Sequence, residues 1–212
     1  MTVRMILDII DEQTGCPAKS FSIDTDDAET IAALLEQESL DPRFGYDLEP
    51  HETVKVLSHF GYRIDTPAPA MLRPRHNLDE RPYQIHTTRE LALMLEGTKP
   101  LAAFAEAYPL FGDTSYIPEH FFDKHVEAGR FVKREFVSIE KVQGYRLRKV
   151  LYARAAEAWR IEAYILMWTN AAMTGWNETF ERIEGFLLGY EAWQTEIHIA
   201  DSHAKAGTRL HP

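Results

Sequence analysis

Cysteine is nearly absent from this 212-residue chain, in which Cys16 is the only one. A single cysteine excludes an intramolecular disulfide and a zinc cluster built from cysteine thiolates. A chain of this length buries enough apolar surface to fold without such cross-links. The cysteine content is typical of a reducing compartment, and it predicts a cytoplasmic location.

Long apolar runs are also missing. The longest uninterrupted one covers residues 163–168, whereas a membrane-spanning helix needs about 20 apolar residues. The N-terminal segment carries Asp8 and Asp11 in or beside its apolar part and has no small-residue cleavage site, so it does not resemble a secretory signal. We therefore expect a soluble protein with no membrane segment.

Motifs of several common chemistries are absent. The sequence contains no G-x-S-x-G, no G-x-G-x-x-G and no G-x-x-x-x-G-K-[ST], so no cofactor is predicted. In the segment EHFFDKH, His120 and His125 are five residues apart and would point about 140° away from each other on a helix. Two such side chains do not ligate one metal from a straight helix, and no metal site is predicted.

Charge is distributed unevenly along the chain. The formal net charge is −10, with 13 acidic and 4 basic residues in 1–60 but 3 acidic and 9 basic residues in 130–160. The negative net charge opposes the approach of nucleic acid, which is therefore disfavoured as a partner. The basic segment means that nucleic acid is not excluded. Docking of the acidic segment, or of a protein partner, on the basic segment is the preferred interpretation.

The first part of the chain predicts a small acidic α+β module over 1–65. Alternation around Gly15 and Pro17 indicates a β-hairpin, and the acids before Ile31 indicate a capped helix. A second helix is predicted from Pro50 to Gly61. Four prolines, Pro67, Pro69, Pro74 and Pro82, lie between Asp65 and residue 82. They predict a linker or crossing segment over 66–81, followed by a main α+β body over 82–212.

The centre of the chain predicts mixed elements. A short strand is expected at 83–86, with helices at 88–96 and 100–108, the second beginning at Pro100. A further helix is expected with Pro118 in its first turn and Gly129 as its left-handed cap.

Two segments rich in arginine, RFVKREFVSI and YRLRKVLYAR, alternate as strands do. The second could instead begin a long helix that reaches Met173, but the strand is preferred. The remaining chain predicts two helices around a turn at 175–177, the first apolar nearly all round and hence buried. The predicted fold class is α+β, in which an antiparallel C-terminal helical hairpin packs on a sheet behind an N-terminal hairpin-and-helix region.

His86 is the most ambiguous residue. With Thr87 as the N-cap and Glu90 at N3, the segment matches a capping box, which accounts for it structurally. The alternative is chemical: a helix N-terminus that follows a strand can bind an anion, with His86 and Glu90 as catalytic residues. Arg89 would then lie in the first turn, where the helix dipole disfavours a cation unless an anion is bound.

Arginines supply the candidate ligand-binding residues. In the strand interpretation Arg146, Arg148, Tyr152 and Arg154 share a face, where an aromatic ring between arginines could stack a base and bind phosphates. The other candidates in this set are Arg75, Arg81, Arg89 and Arg134.

Two function classes remain open. The first is a cytoplasmic, bacterial-type interaction or regulatory protein that recognises a protein partner through charged surfaces, or forms a homodimer through its C-terminal helices. The alternative is an enzyme acting on an anionic small molecule or nucleotide, with His86 as general acid or base and an arginine clamp.

Overall fold

The computed structural model describes residues 3–25, 28–37, 39, 41, 45–109, 115–138 and 146–208. The chain separates into two compact units, Met1–Arg89 and Glu90–Pro212. Each unit contains one antiparallel sheet with helices packed on it. The α+β class predicted from the sequence is confirmed.

The first unit contains a four-stranded antiparallel sheet. Its elements are β1 (Val3–Ile10), β2 (Pro17–Thr25), α1 (Ala28–Leu34), β3 (Tyr46–Leu48), α2 (Pro50–His59) and β4 (Ala70–Pro74), and a 3-10 helix follows at Asn77–Glu80. The strand order is β2-β1-β4-β3. The predicted hairpin of β1 and β2 is confirmed, and so are the two predicted helices.

Alternation along β1 separates the two faces of this sheet. Met5 and Leu7 point to the helices and are fully buried. They pack with Ile31 of α1 and with Val56 and Leu57 of α2. The α2 helix begins at Pro50, where the side chain of Glu52 accepts a hydrogen bond from the backbone N–H of Glu49 at 2.8 Å.

The proline-rich segment 66–81 contains a paired strand. Ala70–Pro74 lies between β1 and β3 and pairs with both. Pro74 is tolerated because β3 pairs only as far as Leu72, so the missing N–H removes no bond to that side. The segment therefore contributes a strand to the sheet of the first unit, and the chain divides into its compact units between residues 89 and 90.

The second unit contains a three-stranded antiparallel sheet in the order β5-β7-β6. Its elements are α3 (Glu90–Leu95), β5 (Leu101–Tyr108), α4 (Glu119–Glu127), β6 (Phe131–Val137), β7 (Arg146–Arg154), α5 (Trp159–Thr174), α6 (Glu178–Leu188) and α7 (Ala192–Thr208). Phe122 of α4 stacks on Tyr152 on one face of the sheet. On the other face Leu151 packs with Ile161 and Leu187 of α5 and α6.

Two predictions for residues 83–108 are wrong. Residues 100–108 form β5 and not a helix, because their full length pairs with β7 and this outweighs the helix propensity of their alanines. Residues 83–86 form no strand. The helix predicted at 88–96 begins only at Glu90, since Thr88 has a φ of 67°, outside the helical region.

The predictions for the region from α4 to β7 are confirmed. Pro118 immediately precedes α4, and Gly129 follows it with a positive φ of 70°. The segments around Val132 and Val150 pair as antiparallel strands, so the long helix considered for the second of them is wrong. The predicted connection, 140–144, lies outside the described residues.

The C-terminal helices pack on the sheet as predicted, but the second helix is broken. Gly189 has a φ of 87° and ends α6, so that α7 begins after a turn. At Gly185 the two helices approach so closely that an added Cβ would collide with Thr195 Oγ1. None of the helices in the described residues is both long and apolar enough to span a membrane.

Candidate protein-interaction surface

Arg89 does not lie in the first turn of a helix. Its guanidinium donates to the carbonyl oxygen of Pro17 at 3.0 Å and to Ser20 Oγ at 2.9 Å, both within the first unit. Because α3 begins at Glu90, Thr87 does not act as its N-cap, and the predicted capping box is wrong. The half-buried His86 follows irregular chain and not a strand end, so the geometry assumed for an anion site is not formed.

The other candidate arginines of the first unit, Arg75 and Arg81, also have partners nearby. The guanidinium of Arg81 donates to Tyr83 Oη and lies 5.7 Å from the centre of that ring. Arg75 Nε lies 4.0 Å from a carboxylate oxygen of Glu80. Arg81 thus contacts Tyr83 and Arg75 lies near Glu80, and these contacts do not direct the two guanidinium groups towards one common ligand.

Arg148 is surrounded by carboxylates. Its guanidinium lies 2.6 Å from Glu106, 2.8 Å from Glu119 and 2.8 Å from Glu135. The hydrogen bonds to Glu135 and the other two carboxylates outweigh burial and raise the arginine pKa above its usual value. A phosphate would have to displace these acids before Arg148 could bind it.

Tyr152 is fully buried and does not present a ring for stacking a base. Its ring stacks on Phe122 at 4.6 Å, and its hydroxyl donates to Asp123 Oδ1 at 2.9 Å. Lys133 Nζ lies 2.8 Å from the same carboxylate and 2.6 Å from Glu119. The charges of Arg148 and Lys133 on the basic face predicted on β6 and β7 are thus neutralised by carboxylates from β5, β6 and α4.

The other predicted arginines lie apart from this cluster. Arg134 is on the opposite face of the sheet and lies 3.9 Å from Glu162. Arg146 lies over the ring of Tyr108 at 5.5 Å, and Arg154 donates to the carbonyl oxygen of Gly97. Among the described residues, no group of three or more His, Cys, Asp and Glu side chains could hold a metal ion.

Large apolar side chains are exposed on the C-terminal helices instead. The prediction that α5 is buried all round is wrong, because only one side of this helix packs on the sheet. Exposed fractions reach 52% for Trp159, 64% for Leu166 and 71% for Met173. Phe186 on α6 is 58% exposed and its ring centre lies 6.4 Å from that of Trp159.

The three large apolar residues that are exposed on α5, Trp159, Leu166 and Met173, form a line along the helix. They are spaced by seven residues, which returns to nearly the same side of an α-helix with a drift of about 20° per step. At a rise of about 1.5 Å per residue the line is about 21 Å long. We call Trp159, Leu166, Met173 and Phe186 the apolar helix face.

Arg160 holds one end of this face in place. Its guanidinium lies 4.8 Å from the Trp159 ring centre and 4.9 Å from that of Phe186. Its Nη1 donates to the Phe186 carbonyl oxygen at 2.7 Å, while Glu157 accepts from its Nε at 2.7 Å. A cation at the C-terminal end of α6 also interacts favourably with the helix dipole. Arg160 therefore fixes the positions of the Trp159 and Phe186 rings within the protomer.

Beneath α5 and α6 lies a second group of ionisable residues, which we call the buried lysine cluster: Lys99, Lys149, Tyr164 and Glu184. Lys149 is 4% exposed, and its Nζ lies 3.3 Å from the centre of the Trp168 ring. Burial lowers the pKa of Lys149 to about 8, although the charge of Glu184 acts in the opposite direction. Attraction of the ammonium to the indole is worth about 2 kcal/mol, less than the several kcal/mol that dehydration costs.

Glu184 connects the members of this cluster. It accepts a hydrogen bond from Tyr164 Oη at 2.9 Å, and burial raises its pKa above the usual value. Lys99 is 3% exposed and donates to the Leu188 carbonyl oxygen at 3.3 Å. Burial lowers the pKa of Lys99 to about 8, against the charges of Glu90 and Glu184.

The sequence pointed to the C-terminal helices as a possible homodimer surface but did not identify the residues of the apolar helix face, and it gave no indication of the buried lysine cluster. The seven-residue spacing from Trp159 to Met173 was present but could not be separated from the buried positions of a helix that is apolar on most sides. Lys149 was counted with the basic segment, because its burial depends on helices that follow it in the chain. No protein family, no curated protein and no solved structure matches the chain.

Proposed function

We propose that this chain functions as an interaction protein and binds a second copy of itself through the apolar helix face. The observation that carries the proposal is the line of exposed large apolar residues on α5, Trp159, Leu166 and Met173. Burying one such side chain contributes about 1.5–3 kcal/mol. Ordered tryptophan and arginine side chains are also the types that dominate binding energy at protein interfaces.

A second copy fits this face because the line is symmetric. Leu166 lies midway between Trp159 and Met173, so an antiparallel pair of α5 helices places Leu166 on its own two-fold axis. Trp159 of one protomer then meets Met173 of its partner, a sulfur–aromatic contact that is favourable. The small residue Ala163, three residues before Leu166, flanks the line and leaves room for an opposing side chain.

Charge favours the antiparallel arrangement and opposes other pairings. Arg160 and Glu162 are the only charged residues of α5, so the face is neutral within a protein of net charge −10. Antiparallel pairing places Arg160 and Glu162 against the C-terminal half of the partner's α5 helix, which carries no charged residue. Parallel pairing would place Glu162 against Glu162, which costs free energy because like charges repel.

The enzyme alternative has less support. It requires His86 and an arginine clamp to converge, but Arg89 donates to Pro17 and Ser20 while Arg148 binds three carboxylates. Recognition of a partner through the basic surface has the same difficulty, since Arg148 and Lys133 already bind carboxylates within the chain.

Sedimentation equilibrium of the full chain tests the proposal. We expect a dimer at micromolar concentrations and a monomer after Leu166→Glu, because the substitution places two carboxylates at the two-fold axis. Leu95→Glu is the matched control, since Leu95 is 40% exposed and lies on α3. A wild-type chain that stays monomeric at about 200 μM, far above the concentration at which a specific dimer forms, would reject self-association. A Leu166→Glu chain that remains dimeric would reject this face.

A further inference from the structure

The buried lysine cluster joins the C-terminal helices to the sheet through ionisable groups. Lys149 comes from β7, Tyr164 from α5, Glu184 from α6, and Lys99 precedes β5. Lys149 is 4% exposed, and its Nζ rests on the indole of Trp168, 3.3 Å from the ring centre. An ammonium group in this position has lost most of its contact with water.

We infer that α5 and α6 are held on the sheet by a proton-dependent contact, in which Lys149 packs against Trp168 most stably as a neutral amine. Protonation of Lys149 weakens the attachment of the helices, and deprotonation strengthens it. This inference does not depend on self-association, since it concerns only contacts within one protomer.

The groups that face Lys149 come from both helices. Tyr164 lies on α5, its ring centre 5.8 Å from Lys149 Nζ, and Glu184 on α6 is the charged group that acts on Lys149. Glu181, also on α6, acts on Glu184. On the neighbouring strands, the residues paired with Lys149 are the uncharged Ala105 and Phe136.

Lys99 faces a different set of groups. Its Nζ lies 5.7 Å from the ring centre of Tyr190, and the charges of Glu90 and Glu184 act on it. Glu184 is therefore shared by both lysines.

The direction of the pH effect follows from proton binding. The pKa of Lys149 is about 8 when folded and about 10.4 in an unfolded chain. Between these values the unfolded state binds more protons, so the folded state gains stability as the pH rises. For one such lysine the gain is about tenfold in the folding equilibrium constant between pH 7 and pH 9.

A direct test is an NMR titration of the lysine ¹³Cε signals in the full-length wild-type chain. We expect the signals of Lys149 and Lys99 to change near pH 8, well below the ordinary lysine pKa of about 10.4. Assignment uses the signal that is lost in Lys149→Met. If every lysine signal changes near the ordinary value, the inference is rejected without reference to any variant's stability.

Hydrogen exchange tests whether the helices respond. After correction for the intrinsic exchange rate, protection of the α5 amides should rise about tenfold or more between pH 7 and pH 9 in the wild type. In Lys149→Met the rise should be about tenfold smaller, and in the matched control Lys124→Met it should equal the wild-type rise. An equal rise in Lys149→Met and wild type would overturn the inference, whatever the oligomeric state.

Discussion

Arg160 Nη1 lies 2.7 Å from the carbonyl oxygen of Phe186, so an arginine at the start of α5 closes the end of α6. The same guanidinium packs beside Trp159 and Phe186, the two aromatic rings of the apolar helix face. The Arg160 side chain therefore both attaches α6 to α5 and positions these two rings at the surface.

Arg160→Ala should lower the free energy of unfolding by roughly 2–3 kcal/mol, because it removes charge-assisted hydrogen bonds to the last carbonyls of α6. Urea denaturation followed by tryptophan fluorescence measures the change. Arg134→Ala is the control, since Arg134 is an exposed arginine 3.9 Å from Glu162, and it should cost less than about 1 kcal/mol. Equal losses in the two variants would contradict the role given to Arg160.

Asp79→Asn should destabilise the first unit at neutral pH but not in acid. Burial disfavours its charge, but the two hydrogen bonds from Arg73, both 2.9 Å, prevail and lower the pKa of Asp79. The stabilisation is present above the ordinary aspartate pKa of about 3.9 and is lost as the pH falls through the lower folded value.

The loss for Asp79→Asn should be roughly 1.5–3 kcal/mol at pH 7 and should shrink towards zero near pH 2. Urea midpoints at both pH values measure it. The exposed Asp47 on β3 provides the control Asp47→Asn, for which we expect no comparable difference. A loss for Asp79→Asn that is the same at both pH values would show that the charge is not responsible.

Gly185→Ala should destabilise the contact of α6 with α7. The added Cβ would collide with Thr195 Oγ1 and lie 3.2 Å from Thr195 Cβ, and such overpacking costs about 1–3 kcal/mol. The double variant Gly185→Ala with Thr195→Ala should recover part of the loss. Gly45→Ala, whose Cβ would have its nearest neighbour at 3.8 Å, is the control and should not show this clash. Thermal unfolding of the wild type and these three variants measures the changes in stability.

Arg89→Ala should lower the melting temperature without changing any response to phosphorylated ligands. Arg89 donates to Pro17 and Ser20, and the loss of about 1–2 kcal/mol corresponds to a few degrees in a chain of this size. Arg63→Ala removes an exposed arginine of the same unit and should change the melting temperature less. A phosphate-induced thermal shift that disappears only in Arg89→Ala would restore the anion site.

Short sequence patterns correctly predicted the elements that are determined by residues close together in the sequence. The β1–β2 hairpin followed from alternation around a turn, and Gly129 ended α4 because a positive φ is required there. β5 was misassigned because its alanines favour a helix when considered alone, whereas pairing with β7, 38 to 52 residues further along the chain, decides its structure.

The candidate site was harder to predict for the same reason. The charge of Arg148 is visible in the sequence, but the three carboxylates that bind it come from β5, α4 and β6. Likewise, the sequence of α5 does not distinguish Leu166, which is exposed, from Met167, which is buried. Only the packing of the sheet against one side of the helix separates them.

The position of β4 matters for how the protein is synthesised. β1 and β2 leave the ribosome together, but one edge of β1 stays unpaired until Ala70–Pro74 has emerged about sixty residues later. An apolar strand with an open edge is a target for pairing with other chains. A fragment that ends at residue 65 would keep that edge open permanently and would aggregate, whereas one that ends at residue 89 would include the strand that covers it.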